Sequence, residues 1–215
     1  MSKFDSKTII VRAEKDKSIV LDCTWWFNQN NLLFNNLKNE NLTEWRLNGS
    51  LIDHKNVKDK YEYLDTYNTL LKINNLKLEE NNDFYSCIFR QTKHDIKQSN
   101  FSLFIGVRPY VTEENIEQNN TIKWFNKYES AKIECPIEGS PAPNKTWLFN
   151  SSTLKEDEVF KYQIEPYNST LKLFELDDIS QGIYVCNASN EFGSVNLRYK
   201  IQIASKFYIS PNFID

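Results

Sequence analysis

The sequence predicts an all-β protein built as two tandem antiparallel β-sandwiches, and three observations predict it. The chain repeats once, because Cys23, Trp45, Tyr85 and Cys87 recur as Cys135, Trp147, Tyr184 and Cys186, at offsets of 112, 102, 99 and 99 residues. Apolar and polar residues alternate over short runs, which is the period-2 signature of half-buried strands. No stretch carries a long apolar stripe at helical spacing. A repeat of roughly one hundred residues, cut into short strands by frequent turn signals, has the length of one sandwich.

Taken in order, residues 8–11 and 18–24 are β-branched or alternating. Residues 70–73 (Leu-Leu-Lys-Ile), 83–89 (Asp-Phe-Tyr-Ser-Cys-Ile-Phe) and 101–105 (Phe-Ser-Leu-Phe-Ile) continue the series. The larger first offset places an insertion in the front half between its first cysteine and its tryptophan, within residues 24–44. The back half repeats the strands at 130–137, 146–149, 170–174, 182–188 and 194–203. Between the halves, Val107-Arg-Pro-Tyr-Val111 leaves almost no free linker. Pro109 sets its own φ and biases Arg108 toward extended geometry. The expected division is 1–107, 108–204, and a stalk or tail over 205–215 with no clear packing pattern.

Composition excludes several classes. With 40% hydrophobic and 14% aromatic residues the chain is too apolar for a disordered tail, and six Pro and five Gly exclude collagen-like architectures. No apolar run approaches the ~18 residues of a membrane helix; residues 101–107 come nearest and are interrupted by Ser102 and Gly106. Charges of both signs are interspersed, with a net charge of -3 and a pI near 5.6, so no basic field gathers nucleic acid or anionic lipid.

No cysteine sits in a CxxC pair or at ligand spacing from His54 or His94, which argues against zinc or another metal. Paired disulfides in an oxidising compartment are the economical reading, and four cysteines allow three connectivities. Asn41, Asn48, Asn100, Asn119, Asn144, Asn150, Asn168 and Asn187 each open an Asn-X-Ser/Thr acceptor. Such triplets also arise by chance in an Asn-rich chain, so several of the eight, and not necessarily all, are expected to be used. The first seven residues contain no apolar core of a signal peptide, so a leader is absent or already removed from this sequence.

The order Cys23, Trp45, Tyr85-Ser-Cys87, then Cys135, Trp147, Tyr184-Val-Cys186, resembles the immunoglobulin domain over essentially the whole chain. The resemblance implies bridges Cys23–Cys87 and Cys135–Cys186 across the two sheets, Trp45 and Trp147 packed beside them, and Tyr85 and Tyr184 turning their hydroxyls onto nearby backbone. The back half resembles the I-set type, through Cys135-Pro-Ile-Glu-Gly-Ser-Pro-Ala-Pro143 and Gly182-Ile-Tyr-Val-Cys-Asn-Ala-Ser-Asn190 followed by Phe192-Gly-Ser194. The front half departs from it in its long loop before Trp45 and in Asp83, which stands where a glycine is common. Within the superfamily the layout resembles the basigin, neuroplastin and embigin group. That resemblance implies a single-pass glycoprotein whose membrane segment accompanies monocarboxylate transporters and whose ectodomain engages other proteins.

Residues for catalysis are scarce. Asp177-Asp178 and Glu113-Glu114 are adjacent pairs, which point apart on a strand or turn, and no Gly-rich phosphate loop or calcium loop occurs. The chain is expected to be a binding module with no cofactor. Its candidate anchors are Trp26, Phe27, Leu32, Leu33, Phe34 and Leu37, in the Asn-rich insertion. Exposed aromatic and leucine side chains on a loop tip are typical recognition anchors; the competing role for Leu32, Leu33 and Phe34 is to plug the open end of the sandwich. Strand parity puts Asn144 and Asn187 on the solvent face of one sheet, and Asn100 on the outer face of its strand. The expected protein is the ectodomain of a cell-surface recognition or adhesion molecule, outside the plasma membrane, binding surface or soluble proteins or a second copy of itself. The alternatives are a secreted immune factor or decoy, and the ligand-binding fragment of a receptor kinase.

Overall fold

A computed structural model describes residues 8–24, 43–52, 59–90, 96–155, 161–165, 167 and 169–204. The chain divides into two compact units, with the boundary between Gly106 and Val107. In the first, β1 (Thr8–Glu14), β2 (Ile19–Asp22), β3 (Glu44–Leu47), β4 (Ser50–Leu51), β5 (Tyr61–Tyr63), β6 (Leu70–Ile73), β7 (Phe84–Arg90) and β8 (Ile96–Val111), whose residues from Val107 on belong to the second unit, follow in chain order. They make a sheet in the order β1-β8-β7-β3-β4 and a second in the order β2-β6-β5. Strand β1 runs parallel to β8, and the other pairs are antiparallel.

The second unit carries β9 (Thr121–Phe125), β10 (Ala131–Glu134), β11 (Ile137–Ser140), β12 (Asn144–Phe149), β13 (Ser152–Thr153), β14 (Tyr162–Ile164), β15 (Thr170–Leu173), β16 (Gly182–Asn190) and β17 (Gly193–Ile203). Its sheets are β13-β12-β16-β17-β9 and β10-β15-β14, with β9 parallel to β17. Each unit is therefore two layers of all-β structure around its own core.

The cores follow from alternation. On β8, Phe101, Leu103 and Ile105 are buried while Ser102 and Phe104 are half-buried; on β16, Tyr184, Cys186 and Ala188 are buried. The first core gathers Leu21, Trp45, Leu71, Ile73, Tyr85, Leu103 and Ile105, and the second Ile133, Trp147, Leu171, Leu197, Tyr199 and Ile201. Burying one such aliphatic or aromatic side chain contributes about 1.5–3 kcal/mol.

The stretch 107–111, which leaves almost no free linker, is strand: β8 continues through Arg108 and Pro109 to Val111, where Val111 and Tyr110 pair with Ile137 and Glu138 of β11. Pro109 donates no amide hydrogen but is compatible with extended backbone, so the strand survives it. One expectation changes. The expected strand 130–137 is interrupted between Glu134 and Ile137. Pro136 lies in the gap, and the Ile137 amide turns back to the Cys135 carbonyl at 2.8 Å. The strand then leaves β15 and resumes beside β8.

Candidate interaction surfaces

The side chains around each disulfide decide which faces remain outside. Cys23 and Cys87 are bridged with Cα atoms 6.4 Å apart, and Cys135 and Cys186 with Cα atoms 6.0 Å apart. Trp45 is fully buried, tilted against Phe101 at 5.7 Å, and donates its indole N–H to the Asn68 carbonyl at 2.7 Å. Trp147 stacks on Tyr199 at 6.4 Å. The Tyr184 hydroxyl donates to the Ser180 carbonyl at 3.0 Å, and that of Tyr199 to the Glu134 carbonyl at 2.7 Å. Burial pushes both phenols up to about 12.

Tyr85 departs from the expected pattern. Its hydroxyl meets the Tyr61 hydroxyl at 3.4 Å, and burial, reinforced by that contact, raises its pKa. The first unit thus joins two buried phenols across its layers where the second ties a phenol to backbone.

With Trp147 and Cys186 pointing inward, their strand neighbours Thr146, Asn144 and Asn187 face outward on the β13-β12-β16-β17-β9 sheet. Asn144 is exposed and Asn187 half-buried. Asn119 is exposed beside β9, its Oδ1 accepting the Arg198 amide hydrogen at 3.1 Å. Asn48 and Asn150 occupy equivalent hairpin turns with positive φ of 48° and 44°. Their Oδ1 atoms accept from the amides of Phe84 at 2.9 Å and Ile183 at 3.0 Å. The Asn48 nitrogen also donates to Asp83 Oδ1 at 3.0 Å.

Asn100 corrects the parity argument. It lies on the side of β8 opposite Phe101 and Leu103, yet it is only 6% exposed, with Gln98 Nε2 donating to its Oδ1 at 2.8 Å. Ser86, its partner on β7, and Ile88 are buried on the same side. Alternation fixes the face a side chain occupies, not whether that face is open. Asn41, Asn168, the tail 205–215 and the anchors Trp26, Phe27, Leu32, Leu33, Phe34 and Leu37 lie outside the described residues.

Apolar patches that the strand patterns did not single out occupy equivalent places on the two larger sheets. In the second unit, Ile183, Lys200 and Ile122 form one cross-strand row, with Trp124, 45% exposed, opposite Gln202 in the next. In the first, Phe84, Ser102 and Ile10 form the matching row, with Ile10 65% exposed. Arg12 there covers the Phe104 ring at 4.6 Å. The signal was present in the repeat, because Ile10 and Ile122 stand 112 residues apart and Phe84 and Ile183 stand 99 apart, the two offsets of the cysteines.

The Asp177-Asp178 pair serves the backbone and two lysines. Asp177 Oδ1 accepts the Ile179 amide hydrogen at 3.2 Å and its Oδ2 pairs with Lys161, while Asp178 pairs with Lys127 at 2.9 Å. Glu113 and Glu114 open an exposed 3-10 turn. Among the described residues no cluster of His, Cys, Asp and Glu has the geometry to hold a metal ion. A cavity of about 620 Å³ in the second unit is lined by Phe149, Leu154, Tyr162, Leu173, Ile179 and Tyr184. Polar groups on its wall are tied to one another, Ser180 Oγ to Asp177 Oδ1 and Tyr162 to the Lys155 carbonyl. No helix of the described residues is long and apolar enough to cross a membrane.

Comparison with known proteins agrees with this architecture. Contactin-6 of Mus musculus is 27% identical over 203 residues, covering 94% of this chain. Fibroblast growth factor receptor-like 1 of Homo sapiens is 30% identical over 82 residues, covering 38%. The chain spans 17% and 15% of those two proteins. Immunoglobulin domains 1–4 of Sidekick-1 superpose with a TM-score of 0.67 at 21% identity, over 93% of this chain and 48% of that one, which shows the shared fold of both units. Residues 115–203, within the second unit, match the Immunoglobulin I-set domain, the family to which that unit is similar.

Proposed function

We propose that this chain is the extracellular recognition part of a cell-surface adhesion or receptor protein, a non-catalytic module without cofactor that binds other proteins. The observation that carries the reading is the likeness to contactin-6 through both units at once, 94% of the chain. Two buried disulfides, one per unit, support an oxidising, extracellular setting. A secreted form is the alternative location. The narrower resemblance to the basigin, neuroplastin and embigin group rests on the motifs around Cys87 and Cys186. The 30% identity to fibroblast growth factor receptor-like 1 favours a second reading, a receptor's ligand-binding segment.

Within this proposal the first unit makes the contacts, through Trp26, Phe27, Leu32, Leu33, Phe34 and Leu37 and through its outer sheet face at Ile10 and Phe84. Large exposed apolar side chains gathered on one face mark protein contacts more often than solvated surface. The experiment is a binding screen of the multimerised chain against cell-surface proteins, with light scattering to detect pairing of the chain with itself. Deleting residues 32–37, or Ile10→Asp with Phe84→Asp, is expected to abolish binding at least tenfold. Binding that survives both changes and is lost through second-unit substitutions overturns the assignment.

A further inference from the structure

The sequons of this chain are chemically alike in sequence and unlike in place. Asn144 and Asn187 project outward from adjacent strands, β12 and β16, in neighbouring cross-strand pairs, Asn144 with Ser189 and Thr146 with Asn187. Diagonal neighbours of this kind lie roughly 7–8 Å apart. Asn119 is exposed at the far edge of the same sheet. Its hydrogen bond to the Arg198 amide uses Oδ1, which leaves the reacting nitrogen outside that bond. Asn100 has the same triplet, Asn-Phe-Ser, but a side chain 6% exposed and held by Gln98.

We infer that Asn119, Asn144 and Asn187 carry N-linked glycans that cover the outer face of the larger sheet of the second unit, while Asn100 stays unmodified. The inference rests on the extracellular reading above. In each transfer the side-chain nitrogen forms a bond to the anomeric carbon of an oligosaccharide carried on a lipid pyrophosphate. The bond from that carbon to the phosphate oxygen breaks, and its electron pair leaves with the lipid pyrophosphate. One amide proton passes to a base of the transferase, so the modified nitrogen keeps one hydrogen. At the three outward positions the sugar extends into solvent after folding. At Asn100 the side chain is 6% exposed and its Oδ1 is held by Gln98, so a sugar there has no open face to extend from.

The test is secretion of the chain from cultured animal cells behind a heterologous signal peptide, followed by enzymatic deglycosylation in heavy-oxygen water and peptide mass mapping of the folded fraction. Label is expected at positions 119, 144 and 187 and not at 100. Asn144→Gln and Asn187→Gln, and separately Thr146→Ala and Ser189→Ala, which remove the acceptor triplet and keep the asparagine, are each expected to lower the mass by one glycan. Asn100→Gln is expected to leave the mass unchanged. Label at 100 in folded protein, or its absence from any of 119, 144 and 187, overturns the assignment and leaves the extracellular reading standing. Protein recovered from its natural source with no sugar at any asparagine and four free thiols overturns both.

Discussion

Four residues ahead of the second cysteine the repeat carries Asp83 in one unit and Gly182 in the other, and the reason is a neighbour. A Cβ built on Gly182 would lie 2.5 Å from Phe149 Cε2 and 2.6 Å from Asn150 Oδ1, at a φ of +158°. Phe149 is held there by Tyr184, with ring centres 4.6 Å apart. In the first unit the position equivalent to Phe149 is Leu47, and Asp83 fits, its carboxylate accepting from the Asn48 side chain at 3.0 Å. Overpacking of this kind costs roughly 1–3 kcal/mol. Gly182→Ala is therefore expected to lower the unfolding free energy of the second unit in urea by that amount, and adding Phe149→Leu to recover a measurable part of it. A Gly182→Ala variant as stable as the parent would show that Phe149 moves aside freely.

At the scale of elements, the two hairpin turns that follow β3 and β12 are closed by the same device. Asn48 and Asn150 adopt left-handed backbone, which costs a Cβ-bearing residue about 1–2 kcal/mol, and each side chain accepts an amide hydrogen at the head of the next sheet strand, β7 or β16. Asn48→Ala and Asn150→Ala are each expected to lose about 1–2 kcal/mol in equilibrium unfolding, and the glycine variants less, since glycine keeps the backbone and loses only the acceptor. Equal losses for alanine and glycine would show that the hydrogen bond, not the backbone, dominates. The triplets at these positions read as acceptor sites in sequence. Their work in the turn was invisible there, because the bond partner lies 33 or 36 residues away.

For the whole molecule, the two bridges decide stability. They span separations of 64 and 51 residues, and closing loops of that size stabilises by about 4 kcal/mol each in the chain-entropy model. Small domains have total stabilities of about 5–15 kcal/mol, so each bridge is a large share. Because each unit has its own core, replacing Cys135 and Cys186 with Ala is expected to lower the unfolding free energy of the second unit by about 2–5 kcal/mol. Limited proteolysis should then cut within residues 107–204 before the first unit is attacked. Simultaneous loss of both units would show that they unfold as one.

The all-β class and the doubling of the chain were determined by sequence alone, and the inward direction of Cys23, Trp45, Cys87, Cys135, Trp147 and Cys186 followed from the resemblance to the immunoglobulin domain. Alternation and spacing are local, and every neighbour they need lies on the same strand or its repeat. What the tertiary structure decided was openness and partnership. It showed Asn100 to be covered although its strand face was read correctly, joined Tyr85 to Tyr61 instead of to backbone, and carried β8 past Pro109 to meet β11. It also aligned Ile10 with Phe84 and Ile122 with Ile183 across a strand. Each of these depends on which distant segments pack together, and one residue's periodicity carries no information about the layer that lands on it.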